Sequence, residues 1–320
     1  MKNSLSIGID LGGSKILGGV VDSTGTIIEI QRISTSDESG IAQNAIDQSG
    51  IEVIHDIARL INEFSARYPI SSAGVAIAGF LSPDRKFIGI NPNIKKLENF
   101  PIHQHLVAAT DLEIFIENDA NAAAWGEYRF GAGIGADPMA MITLGTGIGG
   151  GIIIDGKLLI GASGKGNEIG HLPVVDQGEE CGCGARGCLE RYGSGNALIR
   201  SLQRIVHGRE SSDNRWDDQI EGSEITAAAL SGDKDALLAF DEIGRWLAVG
   251  IQAVSTMIDP EKIIIGGGVS EAGDLLLQAI LRARGKINPS NPSNQLPEIL
   301  IGKLGNNAGL IGVSELARGN

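Results

Sequence analysis

The sequence predicts an α/β protein built as two lobes, and three observations carry that prediction. Its 320 residues exceed what one hydrophobic core of ordinary size organises. Short apolar runs at strand spacing alternate with stretches at helical spacing. One unit, apolar strand, small-residue turn, apolar strand, occurs twice, at residues 10–22 and 143–155. An ungapped shift of 133 residues lays Asp10-Leu11-Gly12 over Thr143-Leu144-Gly145 and Asp22 over Asp155. Identities between the copies are few; the layout is what repeats.

Composition narrows the classes. Hydrophobic residues make up 42% and charged residues 20%, the profile of a globular chain rather than a disordered one. A formal charge of −13 disfavours nucleic acid as a partner. No apolar run approaches the roughly 20 residues of a membrane span. Met1 leads straight into a strand pattern, without the basic region, apolar core and cleavage site of a secretory signal. The expectation is a soluble, cytoplasmic protein with reduced cysteines.

In chain order, residues 5–33 read as three strands, with Leu5, Ile7 and Ile9 alternating toward one face. The first turn is Asp10-Leu-Gly-Gly-Ser-Lys15. A carboxylate at a strand end followed by Gly12, Gly13 and Ser14 lets backbone N–H groups approach phosphate oxygens, and Asp10 can hold the accompanying Mg²⁺, usually through water. An ordinary hairpin explains the same residues. The second copy, TLGTGIGGGIIID, favours the phosphate reading: two hairpins clamp one nucleotide, with Thr146 offering a hydroxyl and Gly145 and Gly147 letting the backbone come close. Residues 46–64 carry apolar side chains at helical spacing and read as core. AGVAIAG (73–79) is a short strand ending in Gly79, and 82–99, with Asn91-Pro92-Asn93, is a loop near a cleft.

LEIFIEN (112–118) is a buried strand running into Asp119-Ala120-Asn121 and a helix. Asp119 can N-cap that helix, a purely structural use, or serve as general base on a substrate hydroxyl; both readings stay open on these residues alone. An ordinary Asp, with a pKa of about 3.9, is ionised and ready for that task. Asn118 is placed to hydrogen-bond a polyol, and Asn121 to support the turn. Later, 208–222 reads as a surface loop and Phe240–Ile258 as a long helix stopped at Asp259-Pro260. KIIIGGGVS (262–270) is a strand, a glycine turn at Gly267 and Gly268 that can lie against a nucleoside or merely pack, and a helix start. The run 288–297 is a loop, EILIGKL a last strand, and 306–317 a closing helix.

All three cysteines fall between Gly166 and Gly195. Cys181, Cys183 and Cys188 follow His171 in a glycine-rich loop, a donor set suited to a closed tetrahedral Zn²⁺ site. Four protein ligands leave no open position, so the ion is expected to be structural. Glu168 and Glu190 flank it, and the metal would fix both carboxylates in space.

These segments together resemble the ROK family, within the actin-like sugar-kinase (ribonuclease H-like) fold with an interlobe cleft. The likeness covers nearly the whole chain. It rests on DLGGSK at 10–15, ENDAN at 117–121, TLGTGIGGG at 143–151 and, most specifically, EIGH with CGCGARGCLE at 168–190. Among members, NDANAAAWGEYRFGAG is most similar to bacterial zinc-containing glucokinases.

The resemblance implies ATP-dependent phosphorylation of a hexose, D-glucose at its 6-hydroxyl first, with N-acetylglucosamine, N-acetylmannosamine, mannose or fructose as alternatives. It implies Asp119 as catalytic base, and Asn118, Glu168, His171, Glu190, Gly79 and Asn93 as sugar contacts. Asp10, Gly12, Gly13, Ser14, Lys15, Gly145, Thr146, Gly147, Gly267 and Gly268 are assigned to the nucleotide and its Mg²⁺. The zinc ligands are His171, Cys181, Cys183 and Cys188, with one His171 nitrogen on the metal and the other toward the sugar. Ser14 stands where the family often has Thr; either hydroxyl serves. The expected lobes are 1–119 with 305–320, and 120–304. A homo-oligomer, dimer or tetramer, is implied as well. The family also contains sugar-sensing repressors with a helix-turn-helix domain before the first glycine loop; here that loop begins at Asp10, which is read against a repressor. A non-catalytic sugar sensor is expected to lack an acid at position 119.

Overall fold

Alternation along the first strand sets the architecture of its unit. A computed structural model describes residues 4–12, 15–34, 50–91, 94, 97–208, 216, 220–287 and 297–319. By contact the chain divides into two compact units, residues 1–134 with 157–167 and 306–320, and residues 135–156 with 168–305.

The first unit holds β1 (Leu5–Leu11), β2 (Lys15–Val21), β3 (Ile27–Ser34), α1 (Gly50–Ser65), β4 (Ile70–Ile77), the short pair β5 (Phe80–Leu81) and β6 (Ile88–Ile90), α2 (Ile102–Thr110), β7 (Glu113–Asn118) and α3 (Asp119–Phe130). Its sheet runs β3–β2–β1–β4–β7, with β1, β4 and β7 parallel and β2 and β3 antiparallel. Ile7, Ile9 and Leu11 pack into one core with Ile57, Leu60 and Phe64 of α1 and Ile102 and Leu106 of α2. Ser6, Gly8 and Asp10 point the other way, as the period of two requires. There they meet α9 (Ala308–Arg318). Ser6 Oγ donates to the Ser314 carbonyl at 2.8 Å. A Cβ added at Gly8 or Gly74 would fall onto the carbonyl oxygens of Leu310 and Val313, and one at Gly312 onto that of Ala122 in α3. The sheet, α9 and α3 therefore touch backbone to backbone.

The second unit repeats this plan. It contains β8 (Met139–Leu144) and β9 (Ile148–Ile154); the two-residue strand β10 (Lys157–Leu158) follows in sequence. Next come α4 (Glu190–Gly193), α5 (Gly195–His207), α6 (Gly222–Leu230), α7 (Lys234–Ile258), β11 (Lys262–Gly266), α8 (Asp274–Ile287) and β12 (Glu298–Ile301). Strands β9–β8–β11–β12 are neighbours in that order, again antiparallel at the hairpin and parallel beyond it. Ile142, Leu144, Ile263 and Ile265 bury against Leu198, Phe240, Leu247 and Ile251.

Three expectations need correction. The ungapped repeat holds for the first strands but not the second: Leu11 pairs with Ile16, whereas Leu144 pairs with Ile148. The second turn is one residue shorter, so Asp155 is not the counterpart of Asp22. The long helix starts at Lys234 rather than Phe240, because the Asp233 carboxylate accepts the N–H groups of Asp235 and Ala236. By contact, residues 120–134, which include all of α3 after Asp119, and residues 157–167 group with the first unit, whereas the expected boundary at 119/120 assigns them to the second lobe. The close seat of α3 on α9 is the physical reason. Residues 288–296 of the expected loop 288–297 and most of that at 208–222 lie outside the described residues, as do residues 46–49 of the first predicted helix.

Gly312→Ala is expected to destabilise by about 1–3 kcal/mol or more, as overpacking against an immovable carbonyl does. Denaturant titration of the variant beside the parent chain checks it.

Candidate active site

At the end of β7 the chain turns into α3, and the turn divides labour between two neighbours. The Asn118 Oδ1 accepts the N–H groups of Ala120 at 2.9 Å and Asn121 at 3.0 Å, so Asn118 is the N-cap. Its Nδ2 donates to the Gly79 carbonyl at 3.2 Å. Gly79 has φ +114°, a region that L side chains rarely adopt. The cap that sequence reading left open for Asp119 is thus filled by Asn118. Asp119 is the first residue of the helix, and its Oδ1 accepts the Ala120 N–H at 2.8 Å.

Burial raises the Asp119 carboxyl above its ordinary value, against the pull of the Ala120 N–H and its own. The sequence expectation of an unperturbed acid is corrected accordingly. Asp10, at the end of β1, is pushed up to about 7 by burial first and by the Asp119 charge second. Gly309, at the start of α9, sits against both: a Cβ there would be 3.6 Å from Asp10 Oδ2 and 3.8 Å from the Asp119 carbonyl. Two neighbouring carboxylates that resist joint ionisation suit a bound dication.

The first glycine turn is closed by Gly12 N–H donating to the Lys15 carbonyl at 2.9 Å. Lys15 opens β2 with an exposed side chain. Gly13, Ser14 and Asn93 lie outside the described residues.

The remaining predicted residues lie in the second unit. The ligand atoms of His171, Cys181, Cys183 and Cys188 all fall within 4.8 Å of one another. Cys181 Sγ is 3.6 Å from His171 Nδ1, and Cys183 Sγ is 3.7 Å from Cys188 Sγ. A tetrahedral zinc with Zn–S of about 2.3 Å and Zn–N of about 2.1 Å sets such edges at about 3.6 and about 3.8 Å. The residues fit the ion. Burial, with the neighbouring thiols adding, pushes the Cys188 thiol up to about 12. Burial also raises Cys181, while at Cys183 the Ala185 N–H and the other thiols outweigh burial and lower it. Packed sulfurs that resist ionisation together are what a dication stabilises. Nδ1 faces the sulfurs, and Nε2 lies 3.9 Å from Glu168 Oε2.

Glu190 opens α4 immediately after this loop. Its Oε2 accepts the Ile148 N–H at 2.9 Å, and a Cβ at Gly147 would strike the same oxygen. The cysteine loop is thereby tied to the second glycine turn, a link that sequence spacing does not reveal. Gly195 N–H donates to the Gly145 carbonyl at 2.8 Å, which supports the turn from α5. Gly145 and Thr146 are exposed, and nothing would meet a Cβ at Gly145. Gly267, at φ +81°, packs against the Leu144 backbone, whereas Gly268 faces open space.

Two residues escape the sequence reading. Glu117 is almost fully buried and paired with Arg85. An acid inside the apolar run LEIFIEN is a signal for the first; Arg85, in a polar loop, carries none.

Against this geometry, a sequence model of the ROK family matches residues 6–320. The chain is 37% identical over 323 residues to the glucokinase of Streptomyces coelicolor, covering 98% of each. It is 33% identical to the glucokinase of Thermotoga maritima, covering 98% of this chain and 96% of the relative. Among solved structures it is similar to a ROK family glucokinase from Streptomyces griseus in complex with glucose and AMPPNP, with 36% identity, a TM-score of 0.86, and coverage of 99% of this chain and 100% of that one.

Cys183→Ser is expected to reduce bound zinc from about one ion per chain to none, with faster proteolysis within 166–195 and loss of sugar affinity before global unfolding. Metal analysis and limited digestion read this out. A second expectation concerns Asp10, whose folded-state value of about 7 lies above the ordinary 3.8. Its contribution to folding is complete below the ordinary value and is lost as pH rises through about 7. Without nucleotide or Mg²⁺, Asp10→Asn should therefore melt above the parent chain at alkaline pH, with the gap closing toward pH 4.

Proposed function

The chain belongs to the ROK family, and from that premise we propose that it transfers the γ-phosphoryl group of ATP to the 6-hydroxyl of D-glucose. The observation that carries the reading is the β7–α3 turn, where Asn118 does the capping and leaves Asp119 to the chemistry. Its curated relatives from Streptomyces coelicolor and Thermotoga maritima are glucokinases, and its structural neighbour was solved with glucose and AMPPNP.

In this mechanism Asp119 takes the proton of the attacking hydroxyl. Burial raises its carboxyl above the ordinary value, which makes the carboxylate a stronger base. Asn118, Glu168, His171, Glu190, Gly79 and Asn93 orient the sugar, each through a hydroxyl contact. The glycine turns at 12–15 and 145–147 receive the phosphates, with Gly267 and Gly268 toward the nucleoside. Asp10 would hold the Mg²⁺ that neutralises phosphate charge. Phosphoryl transfer needs positioning and charge stabilisation more than covalent chemistry, which is what these residues offer. The zinc set, His171 with three cysteines, shapes the sugar loop and takes no part in the step. A cytoplasmic location, supported by three free cysteines, and a homo-oligomeric assembly belong to the same proposal.

Asp119→Asn should lower kcat by about 10²–10⁴-fold with the fold intact. ADP release is measured with a sugar panel led by glucose and the N-acetylhexosamines. Turnover on an N-acetylated sugar alone would move the substrate; near-normal turnover by the variant would overturn the base.

A further inference from the structure

Strand β7 carries a carboxylate that the mechanism above does not use. Glu117 is 2% exposed. Arg85 Nε donates to its Oε2 at 3.0 Å, and a second guanidinium nitrogen lies 3.0 Å from Oε1. Oε1 also accepts the Asn118 N–H at 2.9 Å and Asn121 Nδ2 at 3.1 Å. Those two donors bracket Asp119 in sequence. One buried carboxylate thus grips the catalytic turn on both sides.

The cation is delivered by a loop whose own geometry is closed. Arg85 lies between β5 and β6 at φ +58°, an uncommon conformation for a bulky residue unless its surroundings impose it. Its N–H donates to the Ser82 carbonyl at 2.9 Å, and Ser82 Oγ accepts the N–H groups of Lys86 and Phe87. Residues 161–166 cover the outer side: a Cβ on Gly164 would meet the Leu81 carbonyl at 2.7 Å and an Arg85 nitrogen at 3.0 Å. Beyond Glu117 the string continues, since Asn121 Oδ1 accepts Asn167 Nδ2 at 3.2 Å. Asn167 itself is held at φ +69° and immediately precedes Glu168.

Stability alone does not account for such a pair. Replacing a buried ion pair by well-packed apolar side chains is often neutral or favourable, whereas removing one partner is costly. What the pair supplies is direction: a planar fork spanning two oxygens fixes the carboxylate in angle as well as distance. The third guanidinium nitrogen of Arg85 donates to the Ser82 carbonyl at 3.4 Å.

We infer that Arg85 and Glu117 are positioning residues, a buried clamp that holds the β7–α3 turn so that the Asp119 carboxylate meets the acceptor hydroxyl. The inference rests on the assignment of Asp119 as base. Displacement of a reacting group by about 1 Å can cost on the order of 10²-fold in rate.

The test compares Arg85→Met, Arg85→Lys and the double variant Arg85→Met/Glu117→Gln with the parent enzyme on glucose and MgATP. The double variant leaves no unpaired buried charge, so it reads the pair even where Arg85→Met fails to fold. The expected result is a kcat lowered on the order of 10²-fold in the double variant, with KM for MgATP within about threefold. Arg85→Lys should remain impaired, because an ammonium does not span both oxygens. A double variant with parental kcat, or full turnover in Arg85→Lys, would overturn the clamp. Hydrogen exchange of the Ala120 and Asn121 amides reads the turn without turnover: faster exchange in the double variant supports the clamp, and unchanged exchange refutes it. If the parent enzyme phosphorylates no sugar, the kinase reading fails, and the exchange result still decides the clamp.

Discussion

Backbone-to-backbone contact between α9 and the first sheet is the constraint on which that unit depends. Helix and strand can approach this closely only where Cβ atoms are missing, and Gly8, Gly74 and Gly312 supply the gaps. The contact does more than pack. It brings the start of α9, at Gly309, against Asp10 and Asp119, so residues near the two ends of the sequence share one electrostatic environment. A helix N-terminus favours negative charge nearby, whereas burial and the Asp119 charge raise the Asp10 carboxyl.

In the second unit the glycine turn is secured differently. Glu190 stands at a helix start where its carboxylate accepts the Ile148 N–H, and Gly147 leaves room for it. Because Glu190 follows Cys188 so closely, ordering the cysteine loop also orders the turn assigned to phosphate. A structural ion can in this way influence a site it does not touch, through one side chain and one peptide group.

Much of this was legible in the residues. Alternation in β1 and short apolar runs elsewhere pointed to the main strands of the two five-stranded sheets, and the Cys-x-Cys-x₄-Cys spacing with His171 identified a donor set that does converge. What stayed hidden depends on partners distant in sequence. Asn118 and Asp119 are both good capping residues, and only the backbone path into α3 chooses between them. Asp119 looked like an ordinary acid because burial is a tertiary property. Arg85 and Glu117 are 32 residues apart, and no local pattern joins a polar loop to an acid in an apolar strand. The repeat misled in one respect, since an ungapped shift cannot register a turn that has lost a residue.

The division of the chain also has a consequence for its synthesis. Residues 135–156 and 168–305 form one unit, while the other needs residues 306–320 to cover Gly8 and Gly74. On the ribosome, strands β1, β4 and β7 emerge early but lack their covering helix until the whole of the second unit has been made. Domains generally fold as units as they appear, so the second unit can be complete first. The face that α9 covers must then wait; Ser6, Gly8 and Gly74 add little apolar surface there, beside Ala76 and Phe115, which later pack with Val313. Small residues that permit a close helix in the finished protein are, during translation, also the safer ones to leave uncovered.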